Sequence, residues 1–263
     1  YEKGKILKCH PHKSRTNLEQ AITISCNTYF CKTFSDLFKK FDSTEQSYKI
    51  WRTHLNSFGV GEWMNNDFVS GEKGMLPEYK YYSEYYGRKS WNSSTIISMA
   101  IGQGELLLTP IQMANITAII ANRGYYYTPH IIKSIEGKKN IDSTYIRKKF
   151  SSVRPENFEI IINGMENAIK STDGTAHNIF SDSISMCGKT GTAENPHGED
   201  HSIFIAFAPK NKPTIAIAVY IENGGFGSKW AAPIAGLMIQ KYTEKLINKN
   251  LESFILEGKI SNK

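Results

Sequence analysis

The order of the periodic segments constrains the fold of this chain more than any other feature. Helical patterns dominate residues 17 to 170, two short strand patterns follow at 202–208 and 214–221, and a final amphipathic helix is predicted from about Ala232 to Ile247. The strand patterns are joined by Lys210-Asn211-Lys212-Pro213, so we predict a hairpin. Strands that are grouped after a run of helices indicate an α+β fold, without the strand–helix alternation of a parallel sheet.

Two of the predicted helices begin with clear capping signals. Asn17-Leu18-Glu19-Gln20 has the spacing of an N-cap with glutamine three residues later, and Thr109-Pro110-Ile111-Gln112 repeats it with proline at the first helical position. The first helix is expected to bring Ser25-Cys26-Asn27 to its carboxyl end. The second is closed by Gly124 and is apolar around most of its circumference, so we expect it to be deeply buried. A further amphipathic helix is predicted across 158–169.

The composition is that of a globular chain with room for a real core. With 263 residues, of which 40% are hydrophobic, we assign residues 1–250 to one domain and residues 251–263 to a polar, frayed tail. The sequence predicts neither a membrane span nor a signal peptide within the chain. Because the chain begins at Tyr1 and not at methionine, we expect that an upstream part, with any anchor, lies outside it.

The charge pattern argues against a nucleic-acid partner. The net charge of +7 is moderate and the basic residues are scattered, the densest cluster being Arg147-Lys148-Lys149. Such residues are typical of solvated faces, although a basic surface also suits acidic polymers or anionic lipid heads. The four cysteines do not form a disulfide-rich pattern and leave the redox compartment open.

Two motifs carry the chemistry. Where a strand should bury apolar side chains, the chain has Lys189-Thr190-Gly191-Thr192, and far upstream it has Ser25-Cys26-Asn27. In this order they resemble the S-x-N and K-T-G motifs of penicillin-binding proteins and serine β-lactamases. The stretches AIGQGELLLTPIQMA, GTAH, GKTGTAENP and YIENGGFG are also similar to class B penicillin-binding proteins, in particular to elongation-type members from Bacteroidetes-type bacteria. The resemblance extends from about Cys9 to the final helix.

The resemblance implies a fold and an activity. The fold would be that of penicillin-binding proteins and serine β-lactamases, with a helical subdomain and an antiparallel sheet closed by the C-terminal helix, and residues 1–250 would be the C-terminal portion of a transpeptidase domain. The activity would be D,D-transpeptidation of peptidoglycan. A serine attacks the D-Ala-D-Ala carbonyl of a stem peptide, D-alanine leaves, and the amine of a neighbouring stem resolves the acyl-enzyme. β-Lactams acylate the same serine, and no cofactor is required for catalysis.

The resemblance also assigns roles to six candidate catalytic residues: Ser25, Asn27, Lys189, Thr190, Gly191 and Thr192. Ser25 would relay protons, and Asn27 would hold the substrate amide. The lysine would supply positive charge, and the two threonine hydroxyls would bind a substrate carboxylate. The substrate would lie along this strand by strand addition, with Gly191 permitting close approach and the Thr192 N–H acting as an oxyanion donor.

One motif of the family is missing. Its nucleophile and general base form S-x-x-K on a helix upstream of S-x-N, yet none of the twenty-four residues before Ser25 forms it. The literal match Ser70-Gly-Glu-Lys73 lies downstream in a Gly- and Pro-punctuated segment, so we interpret it as a coincidence in a loop. The chain by itself is therefore expected to bind substrate poorly and not to be acylated. The family's first two strands would also be missing, which would leave 214–221 as an exposed edge.

A second constellation suggests a metal. Cys9-His10-Pro11-His12, together with Cys26, offers zinc ligands, of which we select Cys9, His12 and Cys26 in preference to His10. The resemblance agrees, since some elongation-type members hold a metal beside S-x-N. The alternative is a polar turn with an ordinary buried cysteine at position 26. Any zinc here would be structural.

Three other residues invite a functional reading that we do not adopt. His197 and His201 have the spacing of a helical metal pair, but the proline and glycine around His197 predict solvated loop histidines. Cys187 lies two residues before the lysine of K-T-G, and we expect a small buried hydrophobe there rather than a redox group.

Two alternatives to a transpeptidase remain open. A carboxypeptidase or β-lactamase would share the chemistry, but we find no E-x-x-L-N segment between Asn27 and Lys189 of the kind that activates deacylating water in class A β-lactamases. A non-catalytic scaffold or binding module of the cell-wall elongation machinery is the other alternative. By resemblance, the partners would be a membrane glycosyltransferase of the elongation type and its scaffold proteins, with this domain at the periplasmic face of the inner membrane.

Overall fold

The computed structural model describes residues 9, 12, 16–68, 70–87, 90–138, 141–244 and 247–258. The α-helices in these ranges are α1 (Leu18–Thr23), α2 (Asn27–Phe38), α3 (Thr44–Asn56), α4 (Tyr79–Tyr86), α5 (Pro110–Ala121), α6 (Ser143–Ile146), α7 (Phe158–Lys170), α8 (Ala231–Thr243) and α9 (Lys249–Glu257). Short 3₁₀ helices span Ile97–Ile101, Pro155–Asn157 and His177–Ile179. The strands are β1 (Tyr125–Tyr126), β2 (Lys149–Phe150), β3 (Cys187–Ala193), β4 (His201–Ala208) and β5 (Ile215–Ile221).

The main sheet is antiparallel, and its described strands have the order β3-β4-β5. The predicted hairpin is confirmed, since β4 pairs with β5 from Ser202 opposite Ile221 to Ala208 opposite Ile215. The K-T-G stretch forms β3, in which Lys189 lies opposite Ile205. Both β3 and β5 are outer strands of the described sheet, so each has one edge without a strand neighbour there.

Alternation along β4 divides the core between the two faces of the sheet. Phe204 and Ala206 pack in a cluster that includes Ala232 of α8, whereas Phe207 packs in a cluster with Ile162 of α7. Successive strand residues point to opposite faces, so one strand can serve both layers. α8 therefore closes one face, and α1, α5 and α7 cover the other. A third, aromatic cluster joins α2, α3 and α4.

The capping predictions are confirmed. Asn17 and Thr109 each form a capping box with the glutamine three residues later, and Pro110 is the first residue of α5. α5 buries several side chains, among them Gln112 and Met113, and beyond its end Gly124 donates its N–H to the Ile119 carbonyl at 2.8 Å. The predicted α+β fold with a closing C-terminal helix is also observed.

Two local predictions are wrong. The helix expected to reach Ile247 ends at Thr243. The first part of the tail expected at 251–263 instead continues α9 as far as Glu257, and Asn248 caps this helix through the N–H groups of residues 250 and 251; residues 259–263 lie outside the described ranges. Leu251 packs against the α8 core, and the Phe254 ring lies 5.6 Å from that of Trp230. A few apolar side chains at helical spacing thus dock a mostly polar segment onto the fold.

Two further features complete the fold. The two-residue strands β1 and β2 pair with each other and were not predicted, because they are too short to show a period. Across the described part of the chain, every helix falls short of the length and apolar character that crossing a bilayer requires.

Candidate active site

The turn after α1 presents Ser25. The Ser25 N–H donates to the Ile22 carbonyl at 3.3 Å, and the Cys26 N–H donates to the Ala21 carbonyl at 2.9 Å. Ser25 has a φ of 56°, a left-handed conformation that is uncommon for residues other than glycine. The next helix begins at once with Asn27. The S-x-N motif therefore lies at the junction of two helices, at the end of α1 as predicted.

α1 is anchored closely to α7. A Cβ at Gly164 would come within 2.8 Å of the Ile22 Cβ and 2.9 Å of the Glu19 carbonyl, so only glycine permits this separation. Across the same interface, the Asn167 amide donates to the Glu19 carboxylate at 2.8 Å. The Thr23 hydroxyl also reaches the Gly164 carbonyl at 3.4 Å. These contacts fix the end of α1, and with it the position of the S-x-N turn.

Lys189 joins the two motifs. Its Nζ donates to Ser25 Oγ and to the Thr190 carbonyl, each at 2.8 Å, although Ser25 and Lys189 lie 164 positions apart. The side chain is partly buried, and burial lowers the pKa of the ammonium from 10.5 to about 8. In the described ranges no carboxylate forms an ion pair with it. Neutral oxygen atoms therefore stabilise this charge.

The remaining residues of the motif contact the walls on either side. Thr190 Oγ1 donates to Thr175 Oγ1 at 2.9 Å, and Thr192 Oγ1 accepts from the Gly227 N–H at 3.4 Å. A Cβ at Gly191 would meet the Ile203 side chain, from 3.2 Å outward, and the Gly227 backbone is also close, since a Cβ at Gly227 would come within 2.5 Å of the Gly191 carbonyl oxygen. Glycine at position 191 thus keeps side-chain bulk out of a closely packed part of the cleft wall.

An open cleft of about 1080 Å³ runs along β3. All six predicted catalytic residues line it: Ser25, Asn27, Lys189, Thr190, Gly191 and Thr192. Phe226, Gln103 and Asp173 are also in its walls. The structure therefore brings the two motifs together around one space.

Two residues of the cleft were missed by sequence reasoning. Thr175 links α1 to β3, because its N–H donates to the Thr23 carbonyl at 3.3 Å while its hydroxyl accepts from Thr190. Gln103 reaches the free edge of β3 and donates to the Thr192 carbonyl at 2.8 Å. Both lie in stretches that carry the family resemblance, but nothing in their residue type predicts these contacts.

The predicted metal ligands also come together. The donor atoms of Cys9, His12 and Cys26 all lie within 4.8 Å of one another. Cys9 Sγ is 3.2 Å from His12 Nε2 and 3.7 Å from Cys26 Sγ. Burial raises the pKa of the Cys9 thiol, but hydrogen bonds from the Thr28 backbone, His12 and Cys26 bring it down to about 7. His10 lies outside the described residues.

The remaining residues that the sequence singled out differ in how well their surroundings match the predictions. Ser70 and Lys73 are exposed in an irregular segment, as predicted. Cys187 is fully buried, and burial raises the pKa of its thiol to about 12, which fits the predicted structural role. His197 is an exposed loop residue. The prediction for His201 is wrong, because it begins β4 and its Nδ1 accepts from the Asn223 N–H at 3.1 Å.

Comparison with known proteins places this geometry in a family. The peptidoglycan D,D-transpeptidase MrdA of Acinetobacter baumannii is 32% identical over 233 residues, which cover 82% of this chain and 33% of the relative. A solved Pseudomonas aeruginosa PBP2, in complex with WCK 5153, matches with a TM-score of 0.74 and 29% identity over 89% of this chain and 50% of that one.

A Helicobacter pylori PBP2, solved in complex with MreC, matches with a TM-score of 0.68 and 28% identity over 87% of this chain and 39% of that one. The chain thus spans about a third of the length of the curated relatives it matches. The family described as the penicillin-binding protein transpeptidase domain matches residues 1–240. With that match, and with both motifs at one cleft, the chain belongs to the penicillin-binding protein transpeptidase domain family.

Proposed function

We propose that the protein of which this chain is part is a peptidoglycan D,D-transpeptidase that β-lactams acylate. The observation that carries the proposal is the 2.8 Å contact between Lys189 Nζ and Ser25 Oγ, which unites the two motifs at the open edge of β3. The names of the relatives support the proposal. The nucleophilic serine would come from the S-x-x-K segment that the family resemblance implies.

Lys189 and Ser25 would act together on protons and charge. With a pKa of about 8, the ammonium is mainly protonated at neutral pH and donates to the Ser25 oxygen. The serine hydroxyl retains its own proton, which it can donate into the cleft. Ser25 therefore connects a cation to the position of the leaving amine, as a proton relay requires. Asn27 lines the same wall, where its amide would hold the substrate.

The free edge of β3 would bind the substrate backbone. The Thr192 carbonyl accepts from Gln103, which lies outside the sheet, and so points away from β4. The Thr190 carbonyl, two residues earlier on the same strand, points to the same edge and accepts from Lys189 Nζ. The N–H and C=O of one strand residue point to the same edge, which directs the Thr192 N–H into the cleft as well. This N–H would stabilise the oxyanion, and losing such a donor costs about 10²–10³ in rate. The Thr192 hydroxyl, which accepts from Gly227 and keeps its own proton to donate, would bind the substrate carboxylate, and the Thr190 hydroxyl would join it by turning away from Thr175.

Fluorescent-penicillin labelling of the full-length protein tests the proposal. Replacing Ser25 or Lys189 by alanine is expected to reduce the acylation rate at least ~10²-fold, whereas His197→Ala, in an exposed loop, should leave it unchanged. Equal labelling of wild type and both cleft variants would contradict the assignment. The 263-residue chain alone should stay unlabelled, and labelling of it would identify Ser70 or another serine as the nucleophile.

Product analysis separates the alternatives. Incubation of the full-length protein with peptidoglycan precursors, followed by mass spectrometry, is expected to show cross-linked stem-peptide dimers. Shortened or hydrolysed peptides without dimers would identify a carboxypeptidase or β-lactamase-type hydrolase. Absence of both labelling and products would favour a scaffold or binding module.

We also propose a structural zinc ion held by Cys9, His12 and Cys26. The donor set is one that zinc prefers, and a tetrahedral site with Zn–S bonds of about 2.3 Å places two thiolates about 3.7 Å apart, which matches the observed sulfur–sulfur distance of 3.7 Å. Zinc would pin the segment before α1 to the S-x-N turn. Elemental analysis should find one zinc per protein, lost in Cys9→Ser. No zinc in either protein would refute the site and would favour a polar turn with an ordinary buried cysteine at position 26.

The proposed partners and location follow from the same relationship. The Helicobacter pylori PBP2 that this chain resembles was solved with MreC, which supports an elongation scaffold as partner, together with a membrane glycosyltransferase. We place the domain at the periplasmic face of the inner membrane. Fusion of the full-length protein to alkaline phosphatase should give an active reporter, because this enzyme requires export, and an inactive but intact fusion would refute the location.

A further inference from the structure

Gln103 pairs with the free edge of β3 as a strand residue would. Its Nε2 donates to the Thr192 carbonyl at 2.8 Å, and its Oε1 accepts from the Glu194 N–H at 3.4 Å. A side-chain amide has the same donor and acceptor as a peptide group. The carbonyl of one strand residue and the N–H two positions later are the groups that a neighbouring parallel strand uses. Gln103 therefore imitates the N–H and C=O of one residue of an added parallel strand.

The turn that carries Gln103 is built to hold it there. Gly102 and Gly104 flank it with φ values of 76° and 77°, a left-handed conformation that glycine adopts without strain. The Gln103 N–H donates to the Ser98 carbonyl at 3.1 Å, which closes the turn at the end of the 3₁₀ helix Ile97–Ile101. The turn thus holds Gln103 against β3, and only its side chain has to rotate for the contact to open.

The contact between Gln103 and β3 lies where a peptide ligand is expected to bind. Gln103, Thr192 and Glu194 all line the cleft, and a ligand added to β3 would pair with the Thr192 carbonyl and, if it continues, with the Glu194 N–H. The Gln103 amide lies 2.8 Å from the Thr192 carbonyl, where the backbone of an added strand would lie, and the Glu194 N–H, which donates effectively to one acceptor, already donates to Gln103. A peptide backbone and Gln103 therefore compete for this edge.

We propose that Gln103 is a displaceable occupant of the substrate edge, which an incoming peptide or acylamide group must replace before it pairs with β3. The proposal rests on the proposed function, because it assumes that the ligand is peptide-like. Ligands that cannot supply both a donor and an acceptor would bind more weakly, because they could not replace both hydrogen bonds of Gln103. It would thus contribute to selection of peptide-like ligands over other small molecules that enter the cleft.

Acylation kinetics of the full-length protein test the proposal. Benzylpenicillin carries an acylamide N–H, and stopped-flow measurements separate its non-covalent dissociation constant from the acylation rate constant. Gln103→Ala is expected to lower the dissociation constant about three- to tenfold, the equivalent of about one net hydrogen bond, and to leave the acylation rate constant unchanged. Gln103→Asn, one methylene too short, should behave the same way. His197→Ala should change neither constant.

A merely structural role for Gln103 predicts the opposite pattern. If its hydrogen bonds only keep β3 in shape, Gln103→Ala should lower the acylation rate constant, because the Thr192 N–H would be less well placed, and should not tighten binding. That result would overturn the proposal.

Hydrogen exchange provides a readout that does not depend on acylation. Gln103→Ala should speed exchange of the Glu194 N–H and leave the core strand β4 unchanged; no increase would overturn the proposal. The two failures are distinguishable. A wild-type protein that is not acylated would refute the proposed function and this inference with it, whereas wild type and Gln103→Ala acylated with equal constants would refute the inference alone.

Discussion

Replacing Lys189 by methionine should stabilise the fold at neutral pH and abolish the proposed activity. Methionine keeps most of the length of the side chain but carries no charge to desolvate. Burial lowers the pKa of Lys189 from 10.5 to about 8, and each pH unit corresponds to about 1.4 kcal/mol. The buried charge therefore destabilises the folded state by about 3 kcal/mol at pH 7. This is an upper bound, because the variant also loses two hydrogen bonds at 2.8 Å.

The stability difference between wild type and Lys189→Met should change with pH in one direction. Below pH 8 the lysine is charged in both the folded and the unfolded chain, so the whole penalty applies. Between about pH 8 and 10.5 the folded protein releases its proton while the unfolded chain keeps it, and the stability of the wild type rises with pH. The advantage of Lys189→Met should thus be about 1–3 kcal/mol at pH 7 and should shrink as the pH approaches 10.5.

Urea unfolding of both proteins between pH 7 and pH 10 measures this difference. Lys212→Met is the matched control, since Lys212 is exposed in the turn between β4 and β5, and its effect should stay within about 0.5 kcal/mol at every pH. A Lys189→Met protein that is less stable than wild type at pH 7 would show that the neutral oxygens fully compensate the buried charge. An advantage that does not change with pH would show that it does not arise from titration.

Three further predictions concern packing, thiol chemistry and the cleft wall. Gly164→Ala should destabilise the protein by about 1–3 kcal/mol in urea unfolding, because the new methyl group overlaps α1; Gly71→Ala, with nothing within 4 Å, should be close to neutral. Iodoacetamide at pH 7.5 should modify Cys9 (pKa about 7) and spare Cys187 (pKa about 12) in metal-free folded protein, as read by mass spectrometry. Thr175→Val, which removes a hydroxyl that accepts from β3, should slow acylation of the full-length protein about three- to tenfold; an unchanged rate would show that the contact is dispensable.

The features that could be predicted are those that depend on residues close together in the sequence. The capping boxes at Asn17 and Thr109 satisfy backbone groups within one turn, so they depend on neighbours in sequence alone. The β4–β5 hairpin follows from period-2 runs around a short turn for the same reason. In contrast, the docking of α9 depends on Trp230 and the α8 core, and its sequence by itself resembles a polar tail.

The sequence alone therefore determined the α+β order, the helix starts and the residue types that form S-x-N and K-T-G. Tertiary structure decided how those residues meet: Ser25 and Lys189 come within 2.8 Å across 164 positions because Gly164 lets α1 lie against α7. The contacts of Thr175 and Gln103 with β3 also depend on it, since each joins segments that are distant in sequence. Capping and periodicity act between near neighbours, whereas these contacts exist only once the helices and the sheet are packed together.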